Sequence, residues 1–595
     1  MAEQSLSPQG FGRRGFLRFT AAVGAAAAAP AVLSACGDGE APGGAGAGKG
    51  LPADLLKMPE GQLTELSTDR IPAERQKITL AEFTAPAKDK YDPPIEISTV
   101  AIAAPQVEFA AGDNINENIW TRAYESKYGI KVKTLWSVDQ SQVEQRTNLM
   151  IASGDLPDFF LVDQVQLDQL VRANLVEDLT EVYRKHATDK ARAVILESGP
   201  IPMQSAAYNG RLMAIPYVVG GRELSPFWYL RKDWLDSRGI AAPKSMQELL
   251  SICDTFTAGD TYGLAVQADL SNLTAFFNGY HAYRGIWVEK GGDLAYGSIQ
   301  PEMKEALRQL QSMYKRGVIH REFGVKKPDQ VLADYVSGRV GVLQGTGSAP
   351  GGTNALKEQN RGAQIIAVPV VSMDGRPAKP QVSQPEVRGS QNRKGVGGGY
   401  WVVRKGYAHP EALLKMLDFW VEAFYNVPND QIHTAFNDKN RWTLHRGATA
   451  WRAYKNADVA KTVTQLLDAK ASTDELANYR PEPRIWYNLI KNVIDGEPYN
   501  GTEFSAYVGF YGPNSGRAVE DLYRRENRYQ LAGFYGAPTA TMAQRQSSLD
   551  KLEVETLTKI IQGASVDEFD KFVTEWGNIG GTQITKEVNE WRARQ

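Results

Sequence analysis

Cysteine is almost missing from this chain: Cys36 and Cys253 are the only two in 595 residues. Histidine is scarce too, at six. So few soft ligands give no basis for a thiolate or Cys/His metal cluster, and Cys36 has a fate of its own that argues against a disulfide. Cys253, in Leu249-Leu250-Ser251-Ile252-Cys253, reads as a small buried apolar residue. An excess of one charge is also absent. Lys plus Arg total 67 against 69 Asp plus Glu, a net of −2, which excludes the basic surface that nucleic acid needs. Signature motifs of catalysis are lacking: no His-Glu-x-x-His, no Gly-x-Ser-x-Gly and no Cys-x-x-Cys. Gly345-Thr346-Gly347-Ser348 begins like a phosphate loop, but no Gly-Lys-Ser/Thr follows, so it reads as an ordinary loop. Carboxylates are plentiful, and a glycosidase pair stays open on sequence alone.

What is present starts at the N-terminus. Arg13-Arg14-Gly15-Phe16-Leu17 is a twin-arginine motif. An Ala-rich stretch follows over 19–32, too short and too weakly apolar for a membrane span. It ends in Leu33-Ser34-Ala35-Cys36. That order is a charged region, an apolar region and a small-residue cleavage site. Residues 37–50 are Gly/Ala-rich and read as a flexible tether; 51–94 is a Pro-rich, partly ordered extension along the first domain.

The remaining length exceeds one core and calls for two or more domains. Its composition, 42% hydrophobic and 23% charged, is ordinary for a globular protein. Strands are predicted at 95–102, 130–135, 158–162 and 227–230, with helices at 116–128, 142–153, 167–175 and 232–238. This alternation predicts a mostly parallel α/β sheet. Asn209-Gly210 is a hairpin signal. Pro301 opens a helix that Gly317 closes. The C-terminal part is helical, with a capping box predicted at Ser565-Val566-Asp567-Glu568.

Leu33-Ser34-Ala35-Cys36 resembles the bacterial lipobox, which implies a diacylglyceryl thioether on Cys36 and a lipid-anchored protein on the extracytoplasmic face of the cell membrane. Several later blocks resemble, in order, extracellular solute-binding proteins of family 1, in the branch of large lipoprotein receptors for oligosaccharide importers. They are Gly210-Arg211-Leu212-Met213-Ala214-Ile215-Pro216-Tyr217, Leu230-Arg231-Lys232-Asp233-Trp234-Leu235, Asp260-Thr261-Tyr262-Gly263-Leu264, Pro301-Glu302-Met303-Lys304-Glu305-Ala306-Leu307, and the tail from Thr558 to Trp591. The resemblance implies a two-lobed α/β fold of the type II periplasmic-binding-protein kind, a hinge, and a solute held between lobes. It implies lobe 1 over 95–216 and about 395–460, and lobe 2 over 217–394 and about 461–595. The partners it implies are an oligosaccharide and the transmembrane subunits of an ABC importer, with the protein itself a monomer, not an enzyme, and without a cofactor. In calcium-binding relatives an acidic loop precedes the Asp-Thr-Tyr-Gly block. Here Phe256-Thr257-Ala258-Gly259-Asp260-Thr261 lacks the alternating carboxylates, so no calcium is expected there.

Aromatics are abundant: 12 Trp, 25 Tyr and 20 Phe. Flat rings cover the C–H face of a sugar, and polar side chains serve its hydroxyl rim. The candidate ligand-binding residues are Tyr217, Trp228, Trp287, Tyr400, Trp401, Phe510, Tyr511 and Arg222. Core packing is the competing reading for each aromatic. Arg222 and Arg231 could each clamp a uronate carboxylate; surface solvation competes for Arg222, and an ion pair with Asp233 or Asp236 for Arg231. The functional alternatives are a secreted carbohydrate-active enzyme and a lipoprotein that only scaffolds or senses.

Overall fold

The computed structural model describes residues 50–103, 107–383, 385–387, 399–427, 430–437, 444–496 and 498–595. Cys36, the twin-arginine motif and most of the tether lie outside them.

Two large hydrophobic cores divide the polypeptide. The first gathers buried residues from Leu51 to Val218, then Val387, then Tyr400 to Ala450. The second gathers Trp228 to Ala378 and returns with Phe534 to Trp591. The chain therefore passes between cores three times, near 218–227, 378–387 and 450–458. Two of the smaller clusters flank the second core. One joins Phe227, Tyr229 and Tyr335 to Phe504 and Tyr523; the other is built from helices over 459–510.

In the first lobe the strand Tyr400–Val403 is central. It runs antiparallel to Phe159–Val162 on one side and to Ile215–Pro216 on the other. Ile95–Ala103 pairs in parallel with Ile130–Asp139. In the second lobe Phe227–Arg231 is flanked by the antiparallel strands Val340–Gly345 and Ile365–Val368, with Tyr262–Leu264 added in parallel. The mostly parallel sheet expected from the alternation is thus corrected to mixed sheets dominated by antiparallel ladders. The cause is topological: the strands that carry the chain between lobes enter each sheet against the direction of their neighbours. Every residue of Phe227–Arg231 is buried, because helices cover both faces of that strand.

Local signals mostly act as read. Asn118 caps Ile119–Tyr128 by accepting from Trp120 and Thr121 N–H, and Gly129 ends it in the left-handed region at φ 70°. Glu302–Arg316 buries Met303, Ala306, Leu307, Leu310 and Met313, and Gly317 closes it at φ 81°. The predicted capping box at 565–568 does not form. Ser565 Oγ instead bonds Asp567 within a tight turn, and the helix Glu568–Trp576 begins without a side-chain cap. Cys253 is buried, and burial pushes its thiol pKa up.

The Pro-rich extension is part of the first core. Leu51, Leu55, Leu66 and Phe83 are buried in it. The segment also straps onto the third crossing: the Leu66 carbonyl accepts from Arg452 and Arg480, and Ile71 N–H donates to the Asn478 carbonyl at 2.7 Å. Among the described residues no helix is long and apolar enough to cross a membrane.

Candidate functional site

A cavity of about 640 Å³ opens where the crossings meet the second lobe. The crossings lie side by side. Val218 bridges Val387, Trp451 N–H donates to the Val218 carbonyl at 3.0 Å, and Val219 N–H donates to the Glu386 carbonyl at 3.2 Å. They present Val219, Gly220, Glu223, Leu224, Trp451 and Lys455 to the cavity. The second lobe supplies Gln267, Asn272, Tyr335 and the loop 343–351.

Trp451 is the large indole of the lining. Its ring abuts Trp420 edge-on at 4.9 Å and Phe424 at 5.7 Å, while the Lys455 ammonium lies 5.4 Å from it. Its Nε1 donates to the Tyr217 hydroxyl at 3.3 Å. An indole fixed in this way offers a rigid apolar plate at low entropy cost.

The glycine loop is clamped from below. Tyr229 donates its hydroxyl to the Ser348 carbonyl at 2.6 Å, and Arg517 Nη2 donates to Ser348 Oγ at 3.3 Å. Gly347 sits at φ 34°, and a Cβ there would lie 2.5 Å from both Arg517 Nη1 and Glu520 Oε1. Only glycine lets the loop settle on that ion pair.

Glu223 anchors the other side. Its carboxylate accepts from Asn456 N–H at 2.8 Å, Asn456 Nδ2 at 2.6 Å and Ala457 N–H at 3.1 Å, so it caps the helix Lys455–Asp468 from a distant segment. Arg517 Nη1 lies 2.7 Å from Glu520 and 3.7 Å from Glu223. Burial raises the pKa of both carboxyls, with Glu520 pushed up to about 8 and Arg517 opposing the rise. Arg452 is held by Glu197 at 2.9 Å and Asp458 at 2.6 Å, and Lys455 by Glu482 at 2.6 Å.

None of the eight residues singled out from sequence lines this cavity, but three of them brace it. Tyr217 receives the Trp451 indole N–H. Phe510 stacks on Trp486 at 4.1 Å and lies 5.1 Å from the Arg517 guanidinium. Arg222 is half-buried and bonded within the protein. It donates to Glu386 at 3.0 Å, the Tyr454 hydroxyl at 2.8 Å and the Ser198 carbonyl at 3.0 Å, pinning two crossings to the first lobe. The others pack elsewhere. Trp228 is fully buried at mid-strand. Trp287 lies in the strand Trp287–Lys290, not a loop, against Tyr296 at 5.3 Å. Tyr400 bonds Ser205 at 2.8 Å within the first core, beside the buried Trp401. Tyr511 donates to Asp468 at 3.0 Å. Arg231 makes the expected ion pair with Asp233, at 2.6 Å.

Sequence reasoning missed Trp451 and passed over the glycine loop. Trp451 follows the small residues Gly447-Ala448-Thr449-Ala450, which allow the backbone a close approach.

Residues 107–423 match the family described as bacterial extracellular solute-binding protein. The chain belongs to that family. As a solute-binding protein it is a binding protein and not an enzyme. Among the described residues the lining carboxylate is Glu223, and it caps a helix. Over 519 residues this solute-binding protein is 20% identical to lipoprotein LipO of Bacillus subtilis, covering 83% of this chain and 92% of that one. It is 23% identical to the polygalacturonan/rhamnogalacturonan-binding protein YtcQ of B. subtilis and 22% to the fructooligosaccharide ABC transporter substrate-binding protein FusA of Streptococcus pneumoniae. Those two matches span 34% and 35% of this chain and only 41% and 42% of the relatives. The fold is similar to an extracellular solute-binding protein from Bifidobacterium longum subsp. infantis (TM-score 0.54, 16% identity, 85% of this chain and 99% of that one). It is also similar to FusA with kestose (0.51, 14%, 84% and 100%). The architecture is therefore the two-lobed type II fold.

Proposed function

We propose that this protein is a lipid-anchored receptor on the extracytoplasmic face of the membrane that captures an oligosaccharide and delivers it to an ABC importer. Lobe 1 comprises 95–216 and about 395–460, and lobe 2 comprises 217–394 and about 461–595. The observation that carries this reading is the cavity itself. A braced indole, Trp451, shares it with a backbone-rich glycine loop and the polar side chains Gln267, Asn272, Gln344 and Asn456. That is the pairing of an apolar plate and a hydrogen-bonding rim that a sugar ring requires. Its place at the crossings gives binding a mechanical consequence. A ligand touching both the crossings and the second lobe favours the arrangement in which those contacts coexist, and so shifts the lobe equilibrium. The relatives named for glycan binding and for the lipoprotein class support the same reading.

Export follows the twin-arginine route and Cys36 carries the lipid, two acyl chains being enough to hold a protein on a bilayer. The receptor works as a monomer and requires no cofactor.

The test is a panel of oligosaccharides with the purified chain. A saturable thermal upshift without product formation is expected; at a hundredfold excess over Kd the stabilisation is about 2.7 kcal/mol. Cleavage products would overturn the reading. Cys36→Ser should release the protein from the membrane fraction, and Arg13→Lys with Arg14→Lys should stop export.

A further inference from the structure

We infer that the cavity selects uncharged oligosaccharides and rejects uronates. This rests on the glycan-receptor reading above and narrows it.

Among the described residues three cations line the cavity: Arg452, Lys455 and Arg517. Taken alone they would suggest an acidic sugar. Each is answered by a carboxylate of the protein itself. Arg452 donates to Glu197 at 2.9 Å, to Asp458 at 2.6 Å and to the Leu66 carbonyl at 3.3 Å. Lys455 donates to Glu482 at 2.6 Å. Arg517 donates to Glu520 at 2.7 Å and to Ser348 Oγ at 3.3 Å, with Glu223 facing it at 3.7 Å. Asp458 also holds a fourth cation, Arg524, at 2.7 Å. Five carboxylates therefore answer four cations. Glu223 and Glu520 face each other across one guanidinium, and burial first, then the Glu223 charge, raises the Glu520 pKa to about 8. A proton kept on that pair leaves the Glu223–Arg517–Glu520 triad close to neutral.

Arg452 and Arg517 are buried, as are Glu197, Glu223 and Glu520 within their pairs. A uronate entering here would have to break a buried pair, stranding its carboxylate, or remain unpaired itself. Both outcomes are costly in a desolvated site. A neutral sugar needs only hydroxyl partners. The amides of Gln267, Asn272, Gln344 and Asn456 each bond within the protein, but a carboxamide carries two donor hydrogens and two acceptor lone pairs, and this remaining capacity, with the peptide groups of the glycine loop, provides these partners.

The test titrates the full chain in detergent with tetrasaccharides of matched length: maltotetraose, xylotetraose and an inulin-type tetrasaccharide against tetragalacturonate and tetraguluronate. At least one neutral sugar is expected to bind, with every uronate weaker by roughly a hundredfold. The neutral Kd should change by less than about twofold between low and high salt, since no ion pair forms. A uronate that binds as tightly as the best neutral sugar overturns this inference and leaves the receptor reading standing. No binding by either class overturns the receptor reading, and the inference falls with it. Glu482→Gln releases Lys455 and should raise the uronate-to-neutral affinity ratio about tenfold. If that variant does not fold, Asp458→Asn, which leaves Arg452 its Glu197 partner, tests the same point. An unchanged ratio in a folded variant counts against the inference.

Discussion

Glu223 and Arg517 face each other at 3.7 Å beneath the cavity, and each is bonded to a different part of it. Glu223 caps the helix Lys455–Asp468 at the third crossing. Arg517 holds the glycine loop and Glu520. The pair is the point at which the crossings and the second lobe share one buried electrostatic group.

Removing Glu223 should cost stability even though Arg517 keeps Glu520. Glu223→Ala is expected to cost about 1–2 kcal/mol, chiefly through the lost helix cap and three unmade hydrogen bonds. Urea denaturation measures it. A double-mutant cycle with Arg517→Met should return a coupling of about 1 kcal/mol or more, and strict additivity would contradict the assignment.

Trp451→Ala should weaken glycan binding at least about tenfold, since stacking and fixed aromatic area contribute on the order of 1–2 kcal/mol. Trp228→Ala should act differently. It empties a fully buried site and costs about 3–5 kcal/mol of stability, while Trp228→Phe should keep the ligand Kd. Calorimetry on the folded variants separates the two roles.

The buried carboxyls predict a pH dependence. Glu386 is raised from 4.5 to about 7, first by burial and against the opposing Arg222, and Glu520 to about 8. Between about pH 4.5 and 8 the folded state therefore holds more protons than the unfolded state. Stability contributed by these groups is present at the acid end and is lost as pH rises through the folded pKa values. Each group adds at most about 1.4 kcal/mol per pH unit. Glu386→Gln should flatten the decline of the urea midpoint from pH 5 to 7; a slope parallel to the parent would refute it.

The extension should prove structural. Leu66 is fully buried and its carbonyl serves two arginines. Leu66→Ala is expected to cost about 2–4 kcal/mol. Loss of residues 51–71 should also expose Arg452 and Arg480 and lower the melting temperature of the first lobe, read by hydrogen exchange.

Much of the secondary structure was legible because its causes are local. Asn118, Gly129 and Gly317 end helices by their own backbone and side-chain chemistry, and Asn209-Gly210 turns the chain between Ala207–Tyr208 and Arg211–Leu212. The exceptions are local too. Ser565 found a nearer partner in Asp567 than the expected box required.

The amino-acid order by itself determined many of the elements and the family, because these depend on neighbours a few residues apart or on blocks in sequence. The tertiary structure alone decided which aromatics line the cavity. Trp228 and Trp451 are chemically the same, yet one fills a sheet interior and the other lines a cavity. Burial is set by what the chain brings from 100 or more residues away, as Tyr217 reaching Trp451 and Glu223 reaching Ala457 show. The charge balance of the site is likewise tertiary: Glu197 reaches Arg452 from 255 residues away, and Glu482 reaches Lys455 from the next long helix.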